Sequence, residues 1–219
     1  MRRALAFFGT TALIGALCLR AAPDSAASPS TSAAVLVDAG KAREAAGDEL
    51  GALARYHDAL TIDPTSSAAY LALGALRVKR NELLEAEHVY AQGVLRVPGS
   101  IPLRLGRARI HRLREHWFEA AEDVRIAHAM TAFDGSDNEI TVLREAASVF
   151  RAARWNAPEI AIWRRLWSIG IARQDAALSK EASIQARALG LFLGELDPVL
   201  AGKAGTDLRR SFAAIVRRP

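Results

Sequence analysis

From Val35 to about Asp134, apolar and small residues recur at helical spacing, and the whole pattern then returns every 34 residues. Ala52, Ala86 and Ala120 stand 34 apart (86 − 52, 120 − 86), as do Gly40, Gly74 and Ala108. Ala59, Gly93 and Ala127 keep the same interval, and so do Tyr56, Tyr90 and Val124. Pro64 and Pro98 close the first two rounds, with Ala132 at that place in the third. A register held over three rounds without insertion marks a repeat architecture. Each round divides into two helical stretches: Ala34 to Ala46 and Glu49 to Thr61, Ser67 to Arg80 and Glu82 to Val97, Ile101 to Arg114 and Trp117 to Met130. Gly47-Asp48 and Asn81 are the turns, because Gly and Asn accept the left-handed geometry that ends a helix. Asp63-Pro64 and Val97-Pro98 stop the second helices, since proline lacks the N–H and disfavours helical geometry in the residue before it. Thr65 and Ser66 then offer an N-cap for the next helix.

The small residues carry a packing expectation. Gly40, Gly74 and Ala108 fall on the first helix of each pair, and Ala52, Ala86 and Ala120 on the second. Facing one another, they would bring the two helices to the low end of the usual interaxial distance of about 8–10 Å. Tyr56 and Tyr90 would then wedge against the neighbouring pair. A pair built this way cannot cover its apolar face alone, so pairs must stack.

These residues resemble the tetratricopeptide repeat family, whose pattern asks for a bulky residue, Leu-Gly and Tyr on the first helix. It asks for Ala, Phe or Tyr, Ala and a final Pro on the second. The second round matches best, with Tyr70, Leu73-Gly74, Ala86, Tyr90, Gly93 and Pro98. The first round has Leu36, Ala39-Gly40, Ala52, Tyr56, Ala59 and Pro64. The third keeps Ala108, Ala120 and Ala127 but has Arg104 and Arg107 where bulky apolar residues belong. Arg43, Arg77 and His111 replace the family's first-helix tyrosine throughout. The resemblance covers about 100 residues and implies an all-α fold, a right-handed α-solenoid of antiparallel helix pairs. The implied repeats are residues 34–66, 67–100 and 101–134. It names an architecture and leaves the function to be argued from the site.

Beyond Asp134 the pattern loosens. Asp134 to Asn138 is a turn cluster, and Glu139 to Ala153 puts Ile140, Leu143, Ala147 and Phe150 on one helical face. After Trp155-Asn156-Ala157-Pro158, a helix from Pro158 to Ile169 completes a degenerate fourth pair over residues 135–171. A longer helix from about Arg173 to Leu193 and an amphipathic one from Asp207 to Val216 form atypical C-terminal capping helices over residues 172–219.

Composition alters this picture in two places. The formal net charge is +5, but residues 1–22 hold Arg2, Arg3 and Arg20 and no acid, leaving +2 for the rest (5 − 3). The high isoelectric point is therefore partly a property of the leader and gives no case for a nucleic-acid partner. Ala4 to Leu19 is uncharged, and sixteen residues make about 24 Å of helix, short of the roughly 30 Å hydrocarbon core. Residues 1–22 are thus expected to be an export signal, with a flexible spacer over 23–33 and delivery to the periplasm or cell envelope. Membrane attachment would come only from an uncleaved signal or a lipid on Cys18, the single cysteine. No cysteine metal site or disulfide framework is open to the rest of the chain.

Candidate chemistry is sparse. His57, His88, His111, His116 and His128 include no i, i+4 pair, and no phosphate loop or nucleophile elbow is present. The expectation is a non-enzymatic scaffold without cofactor or metal. The resemblance places Val37, Lys41, Glu44, Leu71, Ala75, Val78, Arg109 and Arg112 on the concave groove of first helices. Arg104, Arg107, Arg109, Arg112 and Arg114 put five cations within eleven residues, of which Arg109 and Arg112 fall on that groove, and a cationic groove would suit an acidic peptide or a C-terminal carboxylate. The same arginines could simply point to water. The carboxylate clamp of some family members is not reproduced, because its first-repeat lysine and asparagine positions fall on Val37 and Lys41. Trp155, Trp163 and Trp167 are either exposed anchors for a partner or the packing core of the last pair. The first alternative would make the chain an assembly subunit docking through its C-terminal helices.

Overall fold

The computed structural model describes residues 28–190, and within them the chain is all α-helical. The leader, part of the spacer and the helix expected over Asp207 to Val216 lie outside the described residues. Nine helices follow in order: α1 (Pro29–Ala45), α2 (Glu49–Ile62), α3 (Ser67–Lys79), α4 (Leu83–Arg96), α5 (Ile101–Leu113), α6 (Trp117–Ala129), α7 (Asp137–Ala152), α8 (Asn156–Ala172) and α9 (Ala176–Ala188).

The start of α1 corrects the expected spacer. Pro29 to Ala33 are helical because Ser28 caps the end, its hydroxyl accepting from the Thr31 N–H, and Pro29 takes the first turn. Ala33 is already buried in the core. The C-terminal boundaries shift too. α8 runs past Ile169 to Ala172, and a turn at Gln174 separates it from α9. Gly170 lies inside α8 and lets the α9 backbone approach, since a Cβ there would stand 2.7 Å from the Ser179 nitrogen.

One turn recurs along the chain. A backbone N–H reaches back five residues at Asp48→Arg43, Glu82→Arg77, His116→His111, Trp155→Phe150 and Asp175→Gly170. Each turn carries one left-handed residue: Gly47, Asn81, Glu115, Arg154 and Gln174. Gly47, Asn81 and Glu115 keep the 34-residue interval (81 − 47, 115 − 81), although only the first two are residues that favour this conformation.

Consecutive helices pack on one another, and α1 also meets α3, α3 meets α5, and α5 meets α7. Second helices make at most marginal contact with each other. The core falls into two clusters that share α5. Leu103 and Ile110 join the cluster of α1 to α4, and Leu105 and Ala108 join that of α6 to α9.

The glycine register works differently from the sequence expectation. A Cβ on Gly74 would lie 2.6 Å from Cζ of Tyr90, and one on Gly40 would run into Tyr56. The first-helix glycines therefore make room for the tyrosine rings of their own pair rather than for a facing alanine. Tyr90 is clamped from the other side by Gly106 of α5. In the third pair the same two registers hold Ala108 and Val124, both buried in the C-terminal cluster. The side chain grows on one helix where it shrinks on the other, which keeps the interior filled.

Candidate functional site

The side-by-side first helices set equivalent residues in rows: Lys41, Ala75 and Arg109, then Glu44, Val78 and Arg112, each 34 apart. Val37 does not belong to an open face. It is 1% exposed and sits in the N-terminal core cluster with Ala33, which corrects its reading as a groove residue. Its row mate Leu71 is half-buried against the same core. Lys41 is exposed and pairs with Asp38 at 3.0 Å. Glu44 accepts a hydrogen bond from the Tyr56 hydroxyl at 3.2 Å and lies 3.6 Å from Lys79 Nζ. Burial and that carboxylate push the Tyr56 phenol up to about 12, so it stays protonated and donates. Ala75 is exposed and Val78 half-buried. Leu71, Ala75 and Val78 thus remain as an apolar strip on α3.

The arginine run of α5 is mostly engaged inside the protein. Arg107 forks onto Asp123, Nε to Oδ2 at 2.8 Å and Nη2 to Oδ1 at 2.5 Å, and that hydrogen-bonded carboxylate raises the Arg107 pKa further. Arg104 Nη1 lies 4.0 Å from the same carboxylate, and Arg114 pairs with Glu87. Arg109 Nε donates to Glu145 of α7 at 2.8 Å while its side chain stays 58% exposed. His111 stands 3.7 Å from Asp123 and 3.9 Å from Glu87, and burial pulls its pKa below the ordinary histidine value. Arg112 alone of the five has no ion pair or hydrogen bond among the described residues, and its Nε is buried without a partner. Of the two groove arginines, Arg112 thus has no partner among the described residues, and Arg109 is exposed and paired once.

Asp123 was not singled out from the sequence, although the register contains the signal. Asp123 holds the place of Val89, Arg107 that of Leu73 and Arg104 that of Tyr70, each 34 residues on. Apolar residues of the second round are thus replaced together by two cations and an anion in the third. Asp123 is 2% exposed, so each charge there needs the other.

Trp163 is buried, and its Nε1–H donates to Glu159 at 3.1 Å, with Arg151 Nε on the same oxygen at 2.8 Å. This removes Trp163 as an exposed anchor. Trp155 is half-buried between Phe118 and Phe150, at ring separations of 5.3 and 6.1 Å, and Trp167 packs partly against the C-terminal cluster. A second buried acid, Glu139, holds the junction of α6, α7 and α8. It accepts from both Arg165 nitrogens at 2.8 and 3.0 Å and from the Gly135 N–H at 2.8 Å, with His128 at 3.7 Å. Burial raises its pKa, but the His128, Arg165 and Gly135 bonds outweigh that and bring it to about 2. No periodic signal marks Glu139, because its partner lies 26 residues away (165 − 139) on another helix.

A trough of about 680 Å³ runs between α2 and α4 over α3 and is lined by none of the groove positions expected from the sequence. Among the described residues no helix is long and apolar enough to cross a membrane. No protein-family model matches the chain, and no curated protein matches it.

Proposed function

We propose that the chain is a non-enzymatic protein- or peptide-binding scaffold of the tetratricopeptide type, exported to the cell envelope. In this reading the helix pairs form a right-handed α-solenoid, and α1, α3, α5 and α7 line its concave face. The supports are the 34-residue register, the single recurring turn and the row of first helices in contact while second helices hardly meet. The ligand we infer is a peptide with apolar side chains and one carboxylate. Leu71, Ala75 and Val78 offer the apolar strip, and Arg112 stands in the row of Val78 on the next first helix.

The unpaired Arg112 is the observation that carries this reading. A guanidinium among four ion-paired neighbours is available to hold a carboxylate through two parallel N–H bonds. Arg112→Glu should abolish capture of the partner from envelope extract and leave helicity unchanged. Capture at the wild-type level would overturn the reading. Arg109 is the poorer choice for this test, because its reversal also breaks the Glu145 pair. The other reading, an assembly subunit docking through its C-terminal tryptophans, loses Trp163 to the interior.

A further inference from the structure

The outward strip of α8 differs in chemistry from those of the helices before it. On α4 the outward positions include Glu85, His88 and Gln92, and on α6 Glu119, Glu122 and Arg125. On α8, Ile160, Arg164, Trp167 and Ile171 follow one another at i, i+4, i+7 and i+11, none of them buried. Beside it α9 turns Ala176, Ala177, Lys180 and Ile184 outward. Ile171 is 53% exposed and Ile184 57%. The two strips look the same way. α8 and α9 approach closely at Gly170 and Ser179, and a tight turn joins them. At about 100° per residue, Arg164, Trp167 and Ile171 lie roughly 60–120° round α8 from that contact, and Ala177, Lys180 and Ile184 roughly 100–160° round α9. The helices run in opposite directions, so rotations of the same hand carry both strips to one side. In that register Lys180 lies level with the stretch between Trp167 and Ile171, one turn before Ile184.

No carboxylate stands among these residues. Arg164 and Lys180 have no ion pair or hydrogen bond among the described residues, and Arg164 Nε is buried without a partner. We propose that this α8–α9 face rests on an anionic lipid surface, with Trp167, Ile171 and Ile184 at the boundary of headgroups and acyl chains and Arg164 and Lys180 on lipid phosphates. Lys180 decides between occupants. A dry protein interface depletes lysine at its centre. At a bilayer the ammonium reaches up to the headgroups while its stem stays among apolar neighbours. Tryptophan suits the same depth, with one end apolar and the other wet. A second copy packed across a two-fold axis would bring the cations of this face against their own kind. The contact is separate from the leader, and none of its residues is a groove position, so the inference stands or falls apart from the peptide-binding reading.

The test places an environment-sensitive fluorophore on Ile171→Cys in the full-length chain. The background is Cys18→Ser with Ile14→Arg, which removes the natural cysteine and interrupts the apolar stretch of the leader. The same label on Asp58→Cys, exposed on α2, is the control. The probe is vesicles of phosphatidylcholine, with and without phosphatidylglycerol. The expected result is a blue shift at 171 with the anionic vesicles, with none at 58 and none on phosphatidylcholine alone. Lys180→Gln, which removes one exposed cation, should raise the lipid concentration at half-shift about fivefold. No shift at 171 with helicity unchanged, an equal shift at 58, or a half-point unmoved by Lys180→Gln would overturn the proposal. A label at 171 already blue-shifted without vesicles would overturn it as well. Dependence of that shift on protein concentration would make the occupant a second copy, and independence would make it the chain itself.

Discussion

Asp123→Ala removes the carboxylate on which Arg107 forks and toward which Arg104 turns. Both guanidiniums are largely covered, with side chains 24% and 14% exposed, so water can replace the lost partner only in part. Breaking a buried pair from one side costs about 3–5 kcal/mol, and the residual exposure of Arg107 places this case near the lower end, about 3 kcal/mol. The second round shows how the same place is filled without charge, by Tyr70, Leu73 and Val89. Arg104→Tyr and Arg107→Leu combined with Asp123→Val should therefore regain most of the loss and lie within about 1 kcal/mol of the wild type. Urea unfolding followed by helical circular dichroism is the assay. At a slope of about 2 kcal/mol per molar urea, the single variant should lower the midpoint by roughly 1.5 M and the triple variant by less than about 0.5 M. A triple variant as unstable as Asp123→Ala would refute the view that the third round is a charged replacement of the second.

Gly74→Ala should cost about 1–3 kcal/mol, because Tyr90 is held between Gly74 and Gly106 and cannot withdraw; adding Tyr90→Val, as at Ala108 and Val124, should recover part of it in thermal melts. Glu139, held at about 2 against 4.5, contributes its stability in full above about pH 4.5 and loses it as pH falls toward 2, on the order of 3 kcal/mol. Denaturation at stepped pH should show this acid loss, and Glu139→Gln should flatten it. Glu115→Gly should raise stability by about 1 kcal/mol in the same urea assay, since Glu115 sits at φ 63 where Gly47 and Asn81 stand in the other rounds.

The helices and their turns were legible because both arise from short-range chemistry. Helical periodicity, prolines at round ends and the left-handed Gly47 and Asn81 all act within a few positions, whereas Glu115, Arg154 and Gln174 carry no such signal. The start of α1 was less so, since Ser28 and Pro29 lie in a stretch whose composition also suits a linker. What faces what was harder. The glycine at 74 could equally have admitted an alanine helix or a tyrosine ring, and only the packing of Tyr90 against both Gly74 and Gly106 decides it. Charge partners were hardest. The five arginines stand out locally, while Asp123, Glu145 and Glu87, which engage three of them directly, sit on three other helices. Arg112 emerges as the candidate only by subtraction, once each of its neighbours has been assigned an acid.

The central claim is that the first-helix face holds the partner. A photo-crosslinking residue at Ala75, exposed between Leu71 and Val78 in the row of Arg109, tests it most directly. Irradiation in envelope extract should join the partner at Ala75 and not at Asp58, an exposed residue of α2. Crosslinking at Asp58 with none at Ala75 would contradict the account.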